Sequence, residues 1–357
     1  MNVSFEKYTE HRDKEVRELL THTDFMEAAC SASDSIIYSI FDYQRATDPD
    51  RMGRGVVMKN DKDEIVGYMG GIFQPCQYKG KNYTMYQTSS AYIDKNYRGN
   101  LSNIFRHFVD NSSKEYVLFS IGASLPSVIR STEKVGFVQI NKSRFHLQYI
   151  YPLNIKLFIE EYVSHKWMQV CAYLVRPFIN LWFSKKIRTP YSVQVVNDFN
   201  QDYHLVEQAY NKRLFDKFVV QWNKELLQLK FAKRLSTDIN NLRENEVIHI
   251  CVFNKNHEVI GSMVVAKVRG FNKLMIIDVQ TIEQDREGVL LALFKPLLTM
   301  SYASLLIYGI EECYMEILVK HFHLLTKQKD WRIYYMPNAE INTSDVSIVY
   351  SDDDVNY

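Results

Sequence analysis

The chain has 357 residues, 46% of them hydrophobic, with 24 tyrosines and 20 phenylalanines but only 13 glycines. That composition excludes a disordered or collagen-like chain and allows two separate cores. A net charge of +1 gives no overall field that would favour nucleic acid or an anionic membrane.

The first 150 residues read as strands and helices in alternation. A short strand over Val3 to Tyr8 precedes helices around Arg12–Leu20 and Ser33–Phe41. A hairpin follows over Val56 to Met69, two apolar runs joined by a polar turn that begins at Asn60. Met85 to Ile93 is a strand that runs out into Asp94-Lys95-Asn96-Tyr97-Arg98-Gly99-Asn100. From Leu101 the spacing of Leu101, Ile104, Phe105 and Phe108 predicts a helix with one apolar face. A strand over Tyr116 to Ile121, a helix over Pro126–Lys134 and a strand from Phe137 close this half.

Residues 151–190 read as a helical linker. Its apolar stretch, Met168–Phe183, is about sixteen residues long and interrupted by Arg176 and Pro177, too short and too charged to span a bilayer. The expected place is between the halves. With His165, Lys166, Lys185, Lys186 and Arg188 on its flanks, a position on a membrane surface is the alternative.

Residues 191–340 follow the same order: a strand over Ser192 to Val196, helices around Tyr203–Lys212 and Phe218–Phe231, and a hairpin over Ile250 to Met263. Then come a strand over Leu274 to Thr281, a helix near Gly288–Met300, a strand over Leu305 to Tyr308, a helix over Met315–Leu325 and a closing strand over Trp331 to Tyr335. The two hairpins, VVMKNDKDEIVGYM and ICVFNKNHEVIGSM, align without a gap at an offset of 194 residues. Residues 341–357 read as a strand and an acidic tail that contains Asp352-Asp353-Asp354. The fold class is therefore α/β (α+β), two mixed sheets flanked by helices.

Five cysteines (Cys30, Cys76, Cys171, Cys251, Cys313) form no Cys-x-x-Cys pair, and Met1 to Glu10 lacks an apolar signal core. A reduced, cytoplasmic setting is the expectation. No metal site is expected, because His321 and His323 point apart on a helix.

The segment Ile93 to Ser102 places an arginine, a glycine and a helix N-terminus at the end of a strand, a combination suited to a pyrophosphate. It resembles the cofactor loop of the GNAT (Gcn5-related N-acetyltransferase) superfamily through Ile93, Tyr97, Arg98 and Gly99, with Asn100 where the family has more glycine. Ser131-Thr132-Glu133-Lys134-Val135-Gly136-Phe137 resembles the family's Y-E-K-L-G-F segment. The resemblance implies an N-acyltransferase that binds acetyl-CoA or another acyl-CoA in its first half. The diphosphate would lie at Arg98, Gly99, Asn100, Leu101 and Ser102, and the pantetheine along Ala91, Tyr92 and Ile93. The acid for the departing thiolate would be Thr132, Ser131 or a tyrosine of the central strand, Tyr86 or Tyr92, and the base Asp94, a loop residue, Asp278 or Glu311. The acceptor would be a small-molecule amine or amino sugar, and a homo-oligomer is allowed. A non-catalytic module and a Fem-like aminoacyl transferase are the alternatives. In the second half Glu283, Asp285 and Glu287 stand where phosphates would dock, so that half is expected to be cofactor-free.

Overall fold

The computed structural model describes residues 2–20, 55–112, 116–121, 126–140, 147–167, 169–171, 174, 187, 189–196, 198–210, 217–221, 235–236, 238, 241–243, 246–268, 270–282, 284–307, 310–328 and 332–346. The helix expected over Ser33–Phe41, most of the apolar stretch Met168–Phe183 and the acidic tail lie outside these residues.

The first half contains β1 (Val3–Lys7), α1 (Asp13–Leu20), β2 (Val56–Asn60), β3 (Ile65–Tyr78), β4 (Lys81–Ile93), α2 (Leu101–Ser112), β5 (Val117–Ile121), α3 (Pro126–Lys134), β6 (Val138–Gln139) and β7 (Leu147–Pro152). The chain continues with α4 (Ile155–Tyr162), β8 (Ser192–Val195), α5 (Phe199–Tyr210), β9 (Val219–Val220), β10 (Val247–Phe253), β11 (Val259–Lys267) and β12 (Lys273–Thr281). It ends with α6 (Arg286–Leu297), β13 (Ser304–Ile307), α7 (Glu312–His321), β14 (Leu325–Gln328) and β15 (Ile333–Tyr335).

Two mixed sheets result. One runs β1-β2-β3-β4-β5-β15-β6, with β9 on β3, and the other runs β8-β10-β11-β12-β13-β7-β14. Position for position the orders agree, and each sheet takes its penultimate strand from the other half of the chain. Tyr335 of β15 lies opposite Phe119 of β5 and Val138 of β6, whereas Ile150 of β7 lies opposite Leu306 of β13 and Leu325 of β14. The strand expected to close the second half therefore belongs to the first sheet. A cut at residue 150 would pass through β7.

The two hairpins are built alike. Val56 faces Met69 and Ile250 faces Met263, with a register shift after Met58 in one and after Val252 in the other. In each turn an asparagine side chain accepts two backbone N–H groups, Asn60 from Lys62 and Glu64 and Asn254 from Asn256 and Glu258. These are Asx turns, which replace a backbone partner by a side-chain oxygen.

Burial follows the apolar spacing. Ile104, Phe105 and Phe108 of α2 pack with Met58 and Tyr86, and Phe108 stacks on Tyr86, which stacks on Phe73. On the other face, Val16 and Leu20 of α1 pack with Val57, Tyr68 and Tyr92. In the second half, Leu290, Leu293 and Phe294 of α6 cover Ile250, Met263 and Ile276. A further core joins the sheets, setting Met85, Phe119 and Tyr335 of the first with Cys251, Val264 and Ile277 of the second.

Two expectations change. Phe218–Phe231 does not begin as a helix, because Val219 and Val220 pair with Gln77 and Cys76 as β9. Tertiary pairing overrides a weak helical pattern in β-branched residues. The helix expected over Met315–Leu325 ends at His321, where Phe322 turns extended, and β14 then pairs along β7. His323 consequently lies outside the helix, and His321 bonds Glu287 at 2.6 Å.

Candidate active site at the β4–β5 cleft

β4 is a central strand, yet it leaves its neighbour halfway. Among the described residues it pairs with β5 from Met85 to Gln87 and continues without a partner on that side to Ile93. A register shift between Tyr68 and Gly70 accompanies the departure on the β3 side. Such a bulge re-aims a strand and opens backbone to a ligand. Burial agrees: Met85, Tyr86, Gln87 and Thr88 are buried, whereas Ala91 is exposed in mid-sheet.

At the end of this unpaired stretch Asp94 turns the chain. Its side chain accepts Asn96 N–H at 2.9 Å and starts a 3-10 turn over Lys95–Asn100 that feeds straight into α2 at Leu101. The turn is held by the Asn100 side-chain amide on Tyr97 O and by Leu101 N–H on Arg98 O. Arg98 and Gly99 are exposed, and Asn100, Leu101 and Ser102 are half-buried. A Cβ at Gly99 would meet nothing within 4 Å, whereas one at Gly71 would lie 2.4 Å from the Tyr86 ring and 2.6 Å from Gln87 O. Gly71 is required by packing within the sheet. Gly99 is required by nothing inside the protein and leaves a clear approach to a helix N-terminus beside a cation.

The other expected site residues separate by role. The Ser102 hydroxyl donates to Ser131 at 3.0 Å and ties α2 to α3. Thr132 is fully buried and its hydroxyl donates to Val128 O at 2.9 Å, within α3. That proton is directed into the helix, away from the cleft. Tyr92 is buried on the α1 face, opposite Tyr68 and in one cluster with Tyr8, whose hydroxyl bonds Asp13. Ile93 faces the α2 side, with Ile104 and Phe105.

The second sheet carries the same opening but fills it. Among the described residues β12 pairs with β13 from Lys273 to Met275 and runs on to Thr281, whose N–H donates to the Tyr314 hydroxyl at 3.1 Å. At the N-terminus of α6 the Asp285 carboxylate accepts Gly288 N–H at 3.1 Å and the Tyr191 hydroxyl, so a side-chain anion occupies the helix end. Glu287 is paired with Lys320 and His321, which hold its carboxyl below its ordinary range. Glu283 lies outside the described residues. A cofactor diphosphate would have to displace Asp285.

A polar group with no sequence signature lies under α5. His249 and Asp278 both face Val264, and Cys251 and Gln280 both face Ser262, all buried on one face of the second sheet. The Asp278 carboxylate accepts Gln280 Nε2 at 3.1 and 3.2 Å and its neighbour Val279 N–H at 2.8 Å. Burial pushes the His249 imidazole down to about 4, against the pull of Asp278. Alternation along β10 could have placed His249 facing inward, but not opposite a carboxylate two strands away.

A cavity of about 850 Å³ lined by Lys81, Tyr83, Asn338 and Glu340 opens at the other end of β4. From Thr84 to Ile93 the strand rises by roughly 30 Å, so this cavity is separate from Arg98.

No protein-family model and no curated protein matches the sequence. Solved structures do match. A probable N-acyltransferase of unknown function from Enterococcus faecalis V583 aligns with a TM-score of 0.59 at 9% identity, over 93% of this chain and 72% of that one. A GCN5-related N-acetyltransferase from Kribbella flavida aligns with a TM-score of 0.53 at 12% identity, over 93% and 71%. The Saccharomyces cerevisiae N-myristoyltransferase with bound myristoyl-CoA aligns with a TM-score of 0.52 at 10% identity, over 97% and 89%. With its two splayed mixed sheets and flanking helices, this chain has the GNAT fold.

Proposed function

We propose that the chain is an acyl-CoA-dependent N-acyltransferase whose cofactor lies in the β4–β5 cleft of the first sheet. One observation carries the reading: β4 parts from β5 after Gln87 and ends beside the open helix N-terminus at Arg98–Ser102. When bound, an acyl-CoA supplies an activated thioester. Arg98 and the N-terminus of α2 would hold its diphosphate, and the β4 edge at Ala91, Tyr92 and Ile93 would hold the pantetheine. The transfer forms one C–N bond and breaks one C–S bond. The amine sheds a proton and the thiolate takes one up.

Tyr92 is the acid candidate, the one phenol on the unpaired stretch of β4; its hydroxyl is buried against α1 and would have to turn toward the cleft to donate. Ser131 is assigned to fixing α3 against α2 through Ser102, and the Thr132 hydroxyl is bonded within α3. The acceptor is proposed to be a primary amine of a small molecule, with acetyl the simplest acyl group. Titrating acetyl-CoA and a long-chain acyl-CoA into the chain by calorimetry tests the reading. Binding is expected, with a loss of about tenfold or more in Arg98→Glu. Absence of binding by the unaltered chain would overturn it.

A second reading, an acyl-CoA-binding module without catalysis, is favoured by the placement of Thr132, whose hydroxyl is spent inside its own helix. Binding without turnover of any amine would select it.

A further inference from the structure

Among the described residues, the most exposed large hydrophobic side chains are Leu174 at 75%, Trp167 at 68% and Val170 at 60%. They stand together. Trp167, Val170, Cys171 and Leu174 are helical and exposed, and their spacing of three, four and seven residues puts them on one face. At its start Gln169 Nε2 donates to Val163 O at 2.6 Å, which closes the turn from α4 into this segment. The chain is anchored to the second sheet on either side of this segment. The Tyr162 hydroxyl bonds the Ser304 hydroxyl at 3.1 Å, and Ile187 packs on the core beneath. Next to that anchor Phe271 is half exposed, and Lys273 lies over both its ring and that of Tyr162. A soluble surface seldom leaves a tryptophan and two aliphatic side chains aligned in water.

Charge says what covers this face. From Tyr162 to Asn197 the chain carries Lys166, Arg176, Lys185, Lys186 and Arg188 and not one aspartate or glutamate. With 43 basic and 42 acidic residues in all, the rest of the chain is net acidic. Basic charge, an exposed tryptophan and an apolar helical stripe on one segment match an anionic bilayer surface, where apolar burial and headgroup attraction act together. No helix among the described residues is long and apolar enough to cross a membrane.

We propose that the stripe Trp167–Val170–Cys171–Leu174 seats this protein on the surface of an anionic membrane, lying in the interface without crossing it. The test is sedimentation of the full chain with vesicles of phosphatidylcholine and phosphatidylglycerol, against vesicles of phosphatidylcholine alone. Binding is expected to the mixed vesicles and to weaken with salt. The variant Trp167→Ser/Val170→Ser/Leu174→Ser should lose about tenfold or more in partitioning, and Lys166→Glu about fivefold. These side chains are exposed, so both variants should keep the thermal unfolding of the parent. Absence of binding to the mixed vesicles, or equal binding by the triple variant, overturns the proposal. So does a dimer that the triple variant makes monomeric while vesicles take up neither protein, since the face would then be a contact between copies.

Discussion

Asp63 and His257 hold the same left-handed backbone in corresponding turns of the two hairpins, with φ of 64° and 60°. Their side chains do different work. Asp63 receives Lys59 at 2.6 Å and Arg12 at 3.0 Å, and these cations hold its carboxyl below the ordinary range. His257 is exposed, and among the described residues its side chain adds no contact that offsets its strained φ. His257→Gly should therefore raise stability by about 0.5–1 kcal/mol in urea unfolding. Asp63→Gly should gain less, because relief of strain is offset by the loss of two ion pairs, while Glu6 and Glu15 still hold Lys59 and Arg12.

Gly99 and Gly71 make opposite predictions from the same chemistry. Gly99→Ala should leave unfolding unchanged, since its Cβ meets open space. Gly99→Leu should leave stability alike but weaken acyl-CoA binding by about tenfold or more, read by calorimetry, because the added side chain fills the approach to α2. Gly71→Ala should cost about 1–3 kcal/mol, its methyl driven into Tyr86 and the backbone of Gln87. Unchanged binding by Gly99→Leu would move the diphosphate elsewhere.

The exchanged strands β7 and β15 predict that neither half folds alone. Expressed separately, residues 1–152 would lack β15 between β5 and β6, and the remainder would lack β7 between β13 and β14. Each fragment would carry an open sheet edge in its interior. Both should be unfolded or aggregated by circular dichroism and sedimentation, and co-expression should recover a soluble complex. A folded monomeric fragment would show that the exchange is dispensable.

His249 predicts an acid dependence. Its folded value, about 4, lies below the ordinary histidine value of 6.5, so the folded state holds it neutral while the unfolded chain takes up a proton. The stability it allows is complete above pH 6.5 and is lost as pH falls toward 4. The loss should reach about 3 kcal/mol at the acid end. His249→Gln should flatten this part of the pH profile of chemical unfolding, whereas an unaltered slope would show that carboxylates alone set it.

Asp285→Ala should destabilise the second half by about 1 kcal/mol through loss of the α6 cap. Acyl-CoA stoichiometry should remain one per chain, because Tyr314 still holds Thr281 in the second cleft. A second binding event would identify Asp285 as the group that keeps the site closed.

The hairpins, the α2 face and the turn at Arg98 were legible in the sequence because each rests on local rules. Alternation gives a strand, a spacing of three and four gives a helix, and a polar run beginning at Asn60 or Asn254 gives a turn. The registers of Val56 with Met69 and Ile250 with Met263, and the bulge in each hairpin, came only with the fold. Where β15 and β7 pair could not be read this way. Each is a short apolar strand that would satisfy either sheet, and the choice is made by which sheet edge is open when the halves meet. The role of Thr132 was hidden for the same reason, since its proton goes to Val128 O only once α3 is formed and buried. The exposure of Trp167 was hidden as well: apolar residues at helical spacing look alike in sequence whether a core or a membrane covers them, and the difference is in what the rest of the chain leaves uncovered.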